Sequence, residues 1–153
     1  MCLIVDANLA AQVFGKPPHS DFKPIIEWLT SDKKDGKLVI GGHLSIELNK
    51  VGEASRFVKA LLQSGRARLI PDHVIEDETD RMRTMCVSND PHVIALARVS
   101  GARVLCSNDV ALHRDFTNQE LVADPRGHVY QTTEHEHLLR LYGHTPACKR
   151  NLA

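Results

Sequence analysis

The chain carries no excess of charge of either sign: Lys plus Arg and Asp plus Glu number 19 each, and the formal net charge is zero. A global field that gathers polyanions is excluded, so a nucleic-acid partner has to be steered by a local basic rim. Long apolar runs are also missing. Nothing approaches the roughly 20 residues of a membrane span, and no membrane partner is expected. The run Met1-Cys2-Leu3-Ile4-Val5-Asp6 has no basic lead and is too short for a signal peptide. The cysteines Cys2, Cys86, Cys106 and Cys148 show neither C-x-x-C nor metal-finger spacing. Cys2 and Cys106 lie in apolar runs and read as small buried hydrophobes with free thiols. Free core thiols suit a reducing compartment, and the cytoplasm is the expected location.

What is present is an ordinary globular composition, 153 residues with 42% hydrophobic and 25% charged. That length fits one domain over 1–153 and can bury a core. No repeat, low-complexity tract or linker interrupts it. Short apolar runs at Cys2–Val5, Leu38–Ile40, Ala67–Ile70 and Arg103–Cys106 read as strands, with a fifth over Val129–Gln131. Between them lie helical stretches: 7–14, 21–29, 43–50, 53–63, 91–99, 110–114 and 134–141. Residues 73–85 read as a polar helix or a partly ordered linker. Strands apolar on both faces, alternating with helices, predict an α/β fold: a central parallel sheet of four to five strands between two helical layers.

The acids then fall in a pattern. Asp6 directly follows the first strand, Asp109 follows the fourth, and Glu47 lies one helical turn past the second. Asp90 opens the helix that feeds the fourth strand. Residues just past parallel strands gather along one sheet edge, where open α/β sheets place ligands. Carboxylates gathered there repel and resist ionisation, a conflict that a hard divalent cation resolves. Such an ion, or a pair about 4 Å apart, suits phosphodiester cleavage and needs no Ser, Cys or His nucleophile.

These residues resemble the PIN-domain nuclease family. Its pattern begins with an Asp after the first strand and Asn, Ser or Thr shortly beyond, matched by Asp6-Ala7-Asn8. A Glu-Leu in the helix after strand two follows, matched by Glu47-Leu48. The most specific part is an Asp opening a helix with a face of small residues, then Gly, then an apolar strand ending in Ser-Asn-Asp. Here Asp90-Pro91-His92-Val93-Ile94-Ala95-Leu96-Ala97 runs on to Gly101 and to Cys106-Ser107-Asn108-Asp109. The likeness covers about 1–132. It implies a PIN-like fold and a Mg²⁺- or Mn²⁺-dependent endoribonuclease acting on single-stranded RNA. Asp6, Glu47, Asp90 and Asp109 would be the catalytic metal ligands, with Asn8 and Ser107 as supporting groups. Many small members are toxins of toxin–antitoxin pairs of the VapC type, which would add an antitoxin protein and a second copy of the chain as partners. The pattern departs late, where Asp115-Phe116 leaves Asp115 without a clear role.

Each acid also has a plain reading. Asp6, Asp90 and Asp109 all stand where a helix N-cap would, and Glu47 could be a solvated helix residue. Asn8, Ser107 and Asn108 commonly orient backbone. Glu134-His135-Glu136-His137 lacks the i, i+4 histidine pair of a zinc protease, and Glu76-Asp77-Glu78 reads as a solvated helix face. Trp28 reads as core. A phosphotransfer enzyme of the haloacid-dehalogenase kind wants a second Asp where Asn8 stands, and a two-component receiver wants paired acids at strand one. Rival readings within the same fold are a non-catalytic scaffold or RNA-binding protein, and a nuclease acting on DNA.

Overall fold

Strand β1, Cys2–Val5, is buried along its whole length. It is followed in turn by α1 (Ala7–Val13), a 3₁₀ turn at Ser20–Phe22, α2 (Lys23–Thr30) and β2 (Lys37–Ile40). Next come α3 (Gly42–Asn49), α4 (Gly52–Gln63), β3 (Ala67–Leu69), α5 (Asp72–Met82) and α6 (Pro91–Ser100). The chain continues through β4 (Val104–Cys106), α7 (Val110–Thr117) and β5 (His128–Tyr130) to a 3₁₀ turn at Thr133–His135 and α8 (His137–Tyr142). These elements come from a computed structural model, which describes residues 2–145 and Cys148. Among the described residues no helix is long and apolar enough to cross a membrane.

The five strands form one all-parallel sheet in the order β3-β2-β1-β4-β5. The chain builds outward from β1 to β3, then crosses back over β1 to lay down β4 and β5. The step between β1 and β4 is therefore the topological switch point, where a crevice opens beyond the strand ends. Leu3, Ile4, Val5, Val104, Leu105 and Cys106 have no accessible surface, as a sheet covered on both faces requires. The α/β architecture with a central parallel sheet is as the sequence predicts.

Local sequence explains where the site-bearing helices begin and end. At Gly41 an added Cβ would stand 2.5 Å from Ile75 Cδ1 and 2.7 Å from the Ile70 carbonyl, so only glycine lets α3 start immediately after β2. Helix α6 starts with Pro91, whose missing N–H costs nothing in the first turn, and stops at Gly101 in the left-handed region, φ 83°. Arg103 then fastens β4 in place. Its buried guanidinium donates to the carbonyls of Ala97, Ala102, Ala123 and Pro125.

One open choice closes and two expectations need correction. Residues 73–85 hold a defined helix, α5, because Ile75, Thr79 and Met82 recur at helical spacing and pack against α6. Glu78 on that helix does not sit on a solvated face. It is 8% exposed and ion-paired with Arg98 of α6 and with Arg81, 3.0 Å away. Burial alone would raise its carboxyl, but the two guanidiniums outweigh that and hold it below its usual range. Cys2 is not a free thiol: it forms a disulfide with Cys148, which ties β1 to a residue 146 positions away. Spacing cannot reveal such a pair, because it depends on where the chain end returns. The free thiols are Cys86, part-buried and pushed up to about 11 chiefly by burial, and Cys106, wholly buried.

Candidate active site

Asp6 leaves β1 as its amide donates to the Cys106 carbonyl at 2.8 Å, which sets the ends of β1 and β4 side by side. Its side chain is 6% exposed, and Oδ2 accepts from the Ser107 hydroxyl at 2.7 Å. That hydroxyl is a hub. Its oxygen also accepts from the Asp109 amide at 3.1 Å and from Asn8 Nδ2 at 3.5 Å, while Asn8 Oδ1 accepts from the Asn108 amide at 3.3 Å. The two strand ends at the switch point are thus laced together through Asn8 and Ser107, and both carboxylates are aimed by that lacing.

Asp6, Asp90 and Asp109 all occupy N-cap positions, yet only one of them caps. Asp109 Oδ1 accepts from the amides of Ala111 and Leu112 at 3.0 and 3.2 Å. The side chains of Asp6 and Asp90 make no capping bond. A carboxylate at a helix start normally takes such a bond because it satisfies an orphan amide. Asp6 instead accepts from the Ser107 hydroxyl and the Ala7 amide, and Asp90 is left available to something else.

Glu47 comes from the face of α3 turned toward α6. Its Oε1 is buried and lacks a hydrogen-bond partner. It lies 3.2 Å from His92 Nε2, which is likewise buried and unpartnered, and 3.7 Å from His43 Nε2. The His92 contact is close enough for a hydrogen bond but not aligned as one. His92 Nδ1 lies 4.0 Å from Asp90 Oδ1, and the His43 ring packs edge-on against it, centroids 4.9 Å apart. His92 thus sits between two of the four acids. Its signal in the sequence was its place in the first turn of α6, two residues past Asp90.

The electrostatics show that the acids share one neighbourhood. Burial raises the Asp90 carboxyl above its usual range; His92 opposes this, and Asp6, Glu47 and Asp109 each raise it further as like charges. Asp6 is raised as well, mainly by burial. Hydrogen bonding from Ser107 and the Ala7 amide lowers it, and Glu47 raises it again. Like charge contributes to both shifts, and burial is the larger cause for both. The imidazole of His92 is pushed down, first by burial, despite the acids on either side.

Asp115 is elsewhere in both place and role. It is 2% exposed, and its two oxygens accept from the amides of Val87 and Ser88 at 3.0 and 2.9 Å, anchoring the turn that leads into Asp90. His135 is also local: its Nδ1 accepts from the amides of Gln131 and Thr132. A groove of about 440 Å³ has His43, Ile46, Asp72, Asn89 and His92 in its wall, and none of the four acids lines it. A larger cavity of about 690 Å³ lies between Trp28, Lys33, Lys34, His137 and Arg140, and none of the four acids lines it.

Among the described residues no three His, Cys, Asp or Glu side chains stand close enough to enclose a metal ion by themselves. The donor set nonetheless fits a hard cation that keeps much of its water, as Mg²⁺ does when it takes only one or two carboxylates directly. The orphaned Glu47 oxygen and the Asp90 carboxylate, which makes no capping bond, are the observations behind that fit. Comparison with protein families, with curated proteins and with solved structures finds no match for this chain.

Proposed function

We propose that this protein is a divalent-metal-dependent endoribonuclease of PIN-domain type, cutting single-stranded RNA. One observation carries the reading: four acids from separate elements converge at the switch point of a parallel sheet, and one of them, Asp90, forgoes the capping bond its position offers. The motif resemblance from Asp6 to Asp109 supports it.

On this reading Asp6, Glu47, Asp90 and Asp109 hold Mg²⁺ or Mn²⁺, and the cation supplies Lewis acidity for a water and for the charge that grows on the phosphate. The protein supplies aim. Ser107 fixes the Asp6 carboxylate, and Asn8 holds the loop at 108 against it. Asp109 spends Oδ1 on α7 and keeps its second oxygen for the site. Asp115 positions the turn before Asp90 without entering the chemistry. Toxin activity with a protein antitoxin and action as a homodimer belong to the same proposal and rest on the resemblance alone. A cytoplasmic location is proposed too, although the Cys2–Cys148 disulfide takes Cys2 out of the free core thiols that suggested it.

The test is cleavage of labelled RNA and DNA oligonucleotides with and without added ion. Cutting of single-stranded RNA with Mn²⁺ or Mg²⁺, lost in excess EDTA, is the expected result. Full activity after dialysis against EDTA refutes the metal, preference for DNA makes this a DNA nuclease, and binding without cleavage makes it a scaffold.

RNA affinity should fall only gently with salt. Net charge is zero, and the cations expected nearest the strand ends, Lys16, Lys50 and Arg114, are few and exposed. A plot of log affinity against log salt should have the shallow slope of a handful of phosphate contacts. A slope indicating about eight or more contradicts a local rim.

A further inference from the structure

His92 is the one imidazole set among the acids with its Nε2 buried and unsatisfied, and the oxygen it faces, Glu47 Oε1, is buried and unsatisfied too. Two such atoms 3.2 Å apart are joined either by a proton on Nε2, of a neutral or a charged imidazole, or by a cation. A proton is the simplest, but an imidazolium bonded to the carboxylate calls for alignment that the pair lacks. A metal ion makes a different demand, because its ligands must converge on a third point. Ligand bonds of about 2.1 Å set neighbouring donors about 3.0 Å apart at right angles and about 3.4 Å apart in a tetrahedron, and the Glu47–His92 separation falls between the two. The other ring nitrogen lies 4.0 Å from the Asp90 carboxylate, so Nε2 is the ring nitrogen nearer to Glu47 and Nδ1 the one nearer to Asp90. His43 packs edge-on against the ring and limits its rotation.

We propose that His92 is a direct nitrogen ligand to the cation of this site, sharing it with Glu47, so that the site favours Mn²⁺ over Mg²⁺. Imidazole suits first-row transition ions, whereas Mg²⁺ takes oxygen almost alone. The inference rests on the metal-dependent reading above and adds a ligand and a selectivity to it. Two direct protein donors with water completing the shell agree with the absence of a closed cage among the described residues.

Pulsed electron paramagnetic resonance of the full chain, loaded with less than one equivalent of Mn²⁺, reads this without any assay of cleavage. Wild type should show the ¹⁴N coupling of a bound imidazole. His43→Gln should keep it, and His92→Gln and His92→Asn should lose it. Calorimetric titration should show His92→Gln binding Mn²⁺ about 10- to 100-fold more weakly, with Mg²⁺ affinity changed by less than about threefold. The wild-type spectrum alone is decisive even if a variant misfolds. Bound Mn²⁺ with no nitrogen coupling overturns the His92 assignment and leaves the metal reading standing. Coupling that survives in folded His92→Gln overturns it as well. No Mn²⁺ binding to wild type at millimolar ion overturns both.

Discussion

Asp6→Asn and Asp90→Asn should each slow single-turnover cleavage of a short RNA by about 10²-fold or more, which corresponds to at least about 2.7 kcal/mol of barrier. Neither change should unfold the protein. An Asn at position 6 keeps an oxygen for the Ser107 hydroxyl, and at position 90 no capping bond is lost because none exists. What disappears is the charge that would hold a cation. Glu47→Gln and Asp109→Asn should follow in the same direction, with Asn at 109 still able to cap α7. Asp115→Asn is the contrasting case. Its second oxygen would become an amide donor facing a backbone N–H, a buried mismatch worth about 1–3 kcal/mol of stability. It should lower the urea midpoint and leave the metal requirement unchanged. Near-normal rates in Asp6→Asn and Asp90→Asn, with circular dichroism unaltered, would show that the chemistry lies elsewhere.

The second large effect concerns stability. Asp6 and Asp90 are raised above their usual 3.8, first by burial and then by like charges. A carboxyl with a raised folded pKa keeps its proton longer in the folded state than in the unfolded one. Stability therefore falls as pH rises from the unfolded value through the folded one. Without metal, Asp90→Asn should recover part of that loss. The gain is at most about 1 kcal/mol, because solvent screens this part-exposed carboxyl. With Mn²⁺ at about a hundred times its dissociation constant, wild type should gain about 2.7 kcal/mol by mass action, and Asp90→Asn much less. Urea midpoints of both proteins at pH 7, each with and without Mn²⁺, measure all of this. If Asp90→Asn is less stable than wild type without metal and responds fully to Mn²⁺, Asp90 is a structural residue, and the ion belongs to Asp6, Glu47 and Asp109.

The alternation of elements and the places of Asp6, Asp90 and Asp109 could be read from consecutive residues. A strand that ends in a polar residue and a helix that opens on an acid are local events, written in the period of the apolar pattern and in Gly and Pro. Three N-cap positions were visible in the same way. Which of them caps was not, because that depends on side-chain rotamers set by neighbours such as Ser107, far away in the sequence. The acidic run at 76–78 read as solvated because amphipathicity alone cannot announce that Arg98 will lie across Glu78. The strand order β3-β2-β1-β4-β5, with its switch point between β1 and β4, is likewise a choice among packings that every strand's pattern permits equally. So is the Cys2–Cys148 disulfide. By itself the sequence determined an α/β chain whose acids fall at strand ends and helix starts, because backbone conformation responds to nearest neighbours. Only the tertiary structure decided that Glu47 meets His92, that Ser107 ties Asp6 to Asp109, and that Asp115 is consumed by backbone amides. Those contacts join elements whose relative placement is settled by how their side chains pack, which no short stretch of residues encodes.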